Sequence, residues 1–476
     1  MEYRFIGRER EMGYLEELYS RPGLKTCAVL GRRQIGKSTL LREFTKDKRT
    51  VFLQFSKNSY YENFCRLRQD LEDFLGRDLD DTDSFSDLMI VLRDICREEP
   101  TVVVFDELPY LMEGASFIPS IIQRFIDADV RGLDCLVIIC GSSVSMMRDA
   151  IEKIGSPLYG RFTDRLEVGE LDMRRCSEFH RNMSDLDAIR TYLTVGGVPK
   201  YHLMMDGDTY EESLEKCFLS ATAPLRGEGE ALISEDERSE VYSAVVACIS
   251  DGAVQQKTIC ERLGMDKGKC SRLLREMEKL GFIAKRHPMA GAPRRPIYYV
   301  RDGMLAFWYD VVRHHRTTLG SLGIGPEKKL ALIDGRIRTF LGRRFELLCM
   351  EYLMTEYDVT EIGSWWEPSG DADSDIDVIA TVLDDRMAVS QLIGECKFSI
   401  NPMGFRAFNM LTERIEKAEP LPNIRYILFS ASGFEMNLEE FAGEHGIVLV
   451  GIDKLLGRMA ADRLDDIPLE GFVRLS

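Results

Sequence analysis

The sequence predicts a multidomain α/β protein. At 476 residues the chain exceeds one ordinary core, since domains run to about 100–200 residues and about three to four are expected. Its first 170 residues alternate strand-sized apolar runs with amphipathic helices, the pattern of a parallel sheet with helical crossovers. The same alternation returns over roughly the last 150 residues. Between them lie helices with little strand signal. The longest apolar run, Cys135–Cys140, is strand-sized, far below the ~18 residues of a membrane helix, so no membrane partner is expected. The charged opening MEYRFIGRER lacks the apolar stretch of a secretory leader, which predicts a cytoplasmic protein. Twelve cysteines without one C-x-x-C argue against a zinc ribbon or a disulfide framework.

Strands are expected at Thr26–Leu30, Val51–Phe55, Val102–Phe105 and Leu136–Cys140. Leu171 to Ala223 reads as helical, Glu228 to Glu237 as an acidic linker, and Gly320–Gly325 as a boundary. The expected domains are therefore 1–169, 170–228, 229–318 and 319–476.

Gly31, Arg32, Arg33, Gln34, Ile35, Gly36, Lys37, Ser38 and Thr39 follow the apolar Cys27–Leu30 and precede the helical Leu40–Phe44. This is G-x-x-x-x-G-K-[ST] in its strand–loop–helix context, a P-loop that predicts ATP binding. Backbone N–H groups of such a loop wrap phosphates, Lys37 reaches the β- and γ-phosphates, and the Ser38 hydroxyl ligates Mg²⁺. A second apolar strand ends in Asp106–Glu107, suited to holding Mg²⁺ and to polarising the attacking water. Leu136–Cys140 ends in Gly141–Ser142–Ser143, where Ser142 either touches the γ-phosphate or opens an ordinary turn. Arg161 is a candidate for transition-state charge, within its own chain or on a neighbour in a homo-oligomer. Its plain alternative is a surface arginine.

Phe5–Ile6–Gly7–Arg8–Glu9, GRRQIGKS, FDELPYL, the Gly141–Ser142–Ser143 strand end, PLYGR and GGVPKY occur in this order over the first 225 residues. Together they resemble the archaeal-type ATPase family, of the AAA+/STAND division of P-loop proteins. The resemblance implies that Gly7, Arg8 and Pro199 flank the adenine, and that a helical lid covers about residues 170–225.

The net charge is −17, which excludes a general nucleic-acid coat. Yet Asp251–Val300 holds eleven Lys and Arg against five Asp and Glu, a net +6 that leaves −23 on the rest. Within this island, Tyr242–Ile249, Lys257–Leu263 and Lys267–Leu280 read as amphipathic helices with a tight turn at Gly264–Met265–Asp266, a winged helix-turn-helix. Cys270, Leu273, Leu274, Met277 and Leu280 point inward, leaving Lys267, Lys269, Ser271, Arg272 and Arg275 for DNA. Phe282–Ile283 and Ile297–Val300 form the wing, with Lys285, Arg286, Arg294 and Arg295 near its tip for phosphate contact. The competing reading is a protein-interaction module. The run from Tyr299 to Tyr309 resembles the segment that succeeds the winged helix in one subgroup of the family.

Four residues near the C-terminus stand out. Glu346 lies on the helical Arg343–Met354, Asp377 in the strand Ile376–Ala380, and Glu395 and Lys397 in Leu392–Phe398. Residues two apart on a strand share a face, so Glu395 and Lys397 stand together, and Asp377 on an adjoining strand adds a second carboxylate for Mg²⁺. Lys397 then orients the attacking water, and Glu346 adds an outer contact. The order E…D…E-x-K matches the PD-(D/E)XK nuclease core, a restriction-endonuclease-like α/β domain that the same subgroup carries. Ile376 stands where the usual proline precedes the aspartate. The plain alternative is a charged pair on a solvated edge, and nuclease folds also occur as binding modules. The sequence thus predicts an ATP-hydrolysing protein that couples nucleotide state to DNA binding and Mg²⁺-dependent cleavage. The alternative is a nucleotide-switched regulator or scaffold that cuts nothing.

Overall fold

The computed structural model describes residues 5–220, 222–234, 238–289, 295–366, 375–418 and 423–464. It divides into two compact units, 1–171 with 198–200, and 172–197 with 201–476. The last three predicted segments thus fall mostly within the second unit.

The first unit is built on β1 (Leu24–Leu30), β2 (Thr50–Gln54), β3 (Thr101–Asp106), β4 (Cys135–Gly141) and β5 (Asp164–Glu167). All neighbours pair in parallel in the order β2-β3-β4-β1-β5. Helices cover such a sheet on both faces, so its central strands must be apolar throughout. β3 and β4 are buried along their whole length. Because every strand is parallel, all carboxyl ends meet along one edge, where ligands bind in open α/β sheets.

In the second unit, the predicted linker is instead the helix Glu228–Ser234. The buried Trp308 fixes its approach by donating its indole N–H to the Arg226 carbonyl at 2.6 Å. Three helices follow, Ser239–Ser250, Gln256–Leu263 and Lys267–Lys279, then the antiparallel hairpin β6 (Ile283–Arg286) and β7 (Ile297–Val300). Asp266 caps the third helix, accepting from the Gly268 and Lys269 N–H groups at 3.0 and 2.9 Å. Cys270, Leu273, Leu274 and Met277 are buried, as the stripe requires, whereas Leu280 is only half-buried.

The C-terminal part packs helices, among them Pro326–Glu356, Phe405–Lys417 and Met436–His445, around β8 (Asp358–Trp365), β9 (Ile376–Leu383), β10 (Val389–Lys397), β11 (Ile424–Ser430) and β12 (Val448–Val450). The order is β12-β11-β10-β9-β8, antiparallel from β8 to β10 and parallel beyond. One expectation is extended here, and one strand is new. The helix expected from Arg343 begins at Pro326, whose fixed φ suits a first helical position. β8 is an edge strand with its first half largely exposed, so it shows no clean apolar alternation. Among the described residues, no helix is long and apolar enough to cross a membrane.

Candidate functional site

The phosphate loop sits at the carboxyl edge of the first sheet, between β1 and the helix Lys37–Thr45. A Cβ on Gly31 would lie 2.6 Å from the Val168 carbonyl oxygen, so only glycine fits there. Gln34 holds φ 65°, in the left-handed region, which costs a non-glycine residue on the order of 1 kcal/mol. Lys37 is buried and donates to the Arg32 carbonyl at 2.9 Å, a contact that phosphate oxygens can replace. Arg32 pairs with Glu170 at 3.1 Å, while Arg33 and Thr39 are exposed. The Arg8 guanidinium donates to the Ile35 and Gly169 carbonyls at 3.0 and 2.8 Å and pairs with Glu11. Arg8, with Gly7 preceding it, therefore braces the loop. Pro199 reaches the loop as well, its Cγ 4.0 Å from where a Gly36 Cβ would stand.

Asp106 ends β3 beside this loop, and neither carboxylate oxygen has a hydrogen-bond partner although both are buried. Burial raises its pKa, and the Ser38 hydroxyl, the Cys140 thiol and the Lys37 ammonium work the other way. An orphaned carboxylate beside a serine hydroxyl fits a divalent cation, because buried charge is otherwise paired or coordinated. Ser38 and Asp106 would hold Mg²⁺, which supplies charge for the β- and γ-phosphate oxygens. Glu107 has φ 56° and accepts from the Ser142 N–H at 2.9 Å and its hydroxyl at 2.7 Å. Ser142 thus holds the carboxylate that the sequence assigns to water.

The second constellation is in the C-terminal sheet. Gly394 pairs with Val378, which brings Asp377 opposite Glu395 just past the last paired register. Asp377 Oδ2 accepts from the Cys396 N–H at 2.7 Å. Burial pushes the Asp377 carboxyl well above the ordinary range, helped by the charges of Glu395 and Glu346. Glu395, almost fully buried, is held by Lys397 at 2.6 Å and by the buried Arg414 at 2.8 Å. Glu346 pairs with Arg286 at 2.8 Å. Among the described residues no three Asp, Glu, His or Cys side chains form a metal cage. A divalent ion here would take Asp377 and Glu395 with water and phosphate oxygens, the donor set that Mg²⁺ prefers.

Arg414 is a functional candidate that the sequence reading missed. Its signal is an arginine between Leu411 and Ile415, on the apolar face of the helix Phe405–Lys417. Arg414→Met is expected to cost about 3 kcal/mol in urea unfolding, since removing one partner strands a buried charge. Lys397, still in contact, keeps the loss at the low end.

Comparison with known proteins decides the identity of the first unit. Residues 5–205 match the family model of an ATPase domain predominantly from Archaea. This is an archaeal-type ATPase domain. Residues 308–406 match a second model, described as archaeal and bacterial proteins of unknown function. An uncharacterized protein of Methanocaldococcus jannaschii is 23% identical over 395 residues, 81% of this chain and 86% of that one. The Walker-type ATPase of Pyrococcus abyssi has the same fold, with TM-score 0.52 and 20% identity over 64% of this chain and 96% of that chain. The ORC2 protein of Aeropyrum pernix, solved with ADPNP and ADP, is similar at TM-score 0.45 and 11% identity, over 71% and 97%.

The ATPase domain gathers the loop, Arg8, Asp106, Glu107, Ser142 and Pro199, but it does not bring Arg161 to them. The Arg161 carbonyl accepts from the Thr26 hydroxyl at 2.7 Å, near the start of β1, whereas the loop follows its end. β5 runs parallel to β1, so the turn leading into it must lie at the opposite edge. The Arg161 guanidinium pairs there with Asp127 at 2.8 Å. The expectation that it serves its own phosphates is therefore corrected.

In the winged helix, Lys267, Lys269, Arg272, Arg275 and Arg295 are exposed. Ser271 is turned inward, accepting from Gln256 at 2.6 Å and donating to the Lys267 carbonyl. Arg286 is directed at Glu346, which corrects its placement as a free phosphate contact. Arg294 lies outside the described residues.

Proposed function

We propose that the ATPase domain governs a DNA-directed second unit, in which the winged helix docks duplex and the C-terminal sheet hydrolyses a phosphodiester with Mg²⁺. The observation that carries this reading is the meeting of Asp377, Glu395 and Lys397 at adjoining strand ends, with Asp377 raised first by burial and then by its acidic neighbours. Carboxylates kept together at such electrostatic cost mark a functional site more often than a structural one. In the cleavage step, Asp377 and Glu395 hold the metal, while Lys397 orients water and offsets charge on the phosphorus oxygens. The exposed cations of the helix Lys267–Lys279 position the backbone, so affinity falls steeply with salt.

The test is cleavage of linear, nicked and branched DNA with Mg²⁺ or Mn²⁺, with and without ATP. Wild type is expected to cut, Glu395→Ala to lose all cutting, and Lys37→Ala to lose its response to ATP. A second reading, a nucleotide-switched binder without nuclease activity, is favoured by the two cations that already saturate Glu395. DNA binding with no cuts on any substrate would establish it in place of the first.

A further inference from the structure

The hairpin β6–β7 is joined to the acidic sheet by backbone pairing as well as by an ion pair. Beyond Arg286 the chain leaves β6 and runs alongside β8. The Met289 N–H donates to the Ser364 carbonyl at 2.8 Å, and the Ser364 N–H donates to the His287 carbonyl at 3.3 Å. Pro288 and Ser364 form a parallel bridge. The approach is so close that a Cβ on Gly363 would stand 2.1 Å from the His287 carbonyl oxygen. Met289 packs against the hydrophobic core of the C-terminal sheet. Residues 287–289 thus act as a short added strand on the exposed edge of β8, a common way to blunt such an edge. Ser364 links this graft to the acidic residues, because its hydroxyl donates to the Asp377 carbonyl at 2.7 Å.

The graft sets the direction of Arg286. With 287–289 pinned to β8, the end of β6 faces the sheet, and the Arg286 guanidinium meets Glu346 at 2.8 Å with both side chains largely buried. Lys285, one residue earlier, is also occupied, paired with Glu278 at 2.7 Å. Of the wing cations among the described residues, Arg286 is the one brought to the acidic site. It supplies there the positive charge that a divalent ion would otherwise supply.

We propose that β6–β7 is a latch on the acidic site, in which Arg286 neutralises Glu346 and competes with a divalent cation until duplex DNA draws the guanidinium onto a phosphate. This rests on the reading of Asp377 and Glu395 as metal ligands. The latch makes metal loading depend on DNA and keeps a charged, metal-competent site closed while no duplex is bound. Arginine suits both positions, since its planar fork pairs equally with carboxylate and phosphate.

Binding of Mn²⁺ to the full chain, followed by calorimetry, tests the latch without requiring cleavage. Arg286→Met keeps the aliphatic stem and removes the charge, and is expected to bind Mn²⁺ about tenfold more tightly than wild type, as loss of one nearby positive charge predicts. Arg286→Lys should stay near wild type. A short blunt duplex should tighten Mn²⁺ binding in wild type and leave Arg286→Met unchanged. Equal Mn²⁺ affinity in wild type and Arg286→Met, with Asp377→Asn weakening both, would overturn the latch and leave the metal site standing. A duplex without effect on wild type would overturn it too. No Mn²⁺ bound by any form would bring down the latch together with the metal reading.

Discussion

Glu107→Gln is expected to lower ATP turnover by about 10²–10⁴-fold, the usual contribution of a positioned base, with ATP affinity changed by less than about threefold. Glutamine keeps the side-chain length and one carbonyl oxygen, so it still accepts from the Ser142 N–H and hydroxyl that hold Glu107 at 2.9 and 2.7 Å. What it loses is the charge that would polarise water. Lys37, Ser38 and Asp106, which would carry nucleotide and Mg²⁺, are untouched. Phosphate release under saturating ATP and fluorescence titration with a labelled nucleotide separate the two effects. Turnover within tenfold of wild type would show that another group positions the water. The backbone supports the assignment. Glu107 sits at φ 56° ahead of a helix with proline in its first turn, and strain of this kind persists where surrounding structure enforces a functional geometry.

Legibility in the sequence follows the range of the interactions. The phosphate loop is a local object, with strand, turn and helix inside about twenty residues, and residue types alone announce it. Asp106–Glu107 ends an apolar strand, and parallel pairing carries that strand end to the loop. The winged helix is equally local, most of its buried stripe and the turn at Gly264–Met265–Asp266 readable from spacing. Contacts across the fold were not readable. Arg414 meets Glu395 from a helix in another layer, and nothing in E-x-K predicts a second cation. Arg286 looked like a wing-tip phosphate contact because its neighbours are basic; its direction depends on residues 287–289 pairing with β8, some seventy residues away in sequence. Whether Arg161 could serve its own phosphates was not readable either, since periodicity does not tell which edge of a parallel sheet a turn occupies.

A large pH effect is expected from a pair that the sequence gives no reason to notice. His180 Nε2 lies 2.7 Å from His202 Nδ1, and His202 Nε2 lies 2.7 Å from the Gly196 carbonyl, with both rings buried. A carbonyl only accepts, so His202 carries its proton on Nε2 and accepts at Nδ1 from His180. Both rings are neutral in this arrangement. Burial pushes His180 down to about 4; burial and then the neighbouring ring push His202 down to about 3. In the unfolded chain both titrate near 6.5. Folded values below unfolded ones make this contribution complete above about pH 6.5 and lost as pH falls toward 4 and 3. Around pH 5 the unfolded rings are charged and the folded ones are not, so the unfolded chain binds nearly two more protons and stability should fall by at most about 2.7 kcal/mol per pH unit. Asp377 works in the opposite sense, because a raised carboxyl loses stability as pH rises, so the histidine slope is best isolated by difference. His180→Gln should remove about half of it in urea unfolding between pH 7 and 5. An unchanged slope would show that these rings are not what the acid attacks.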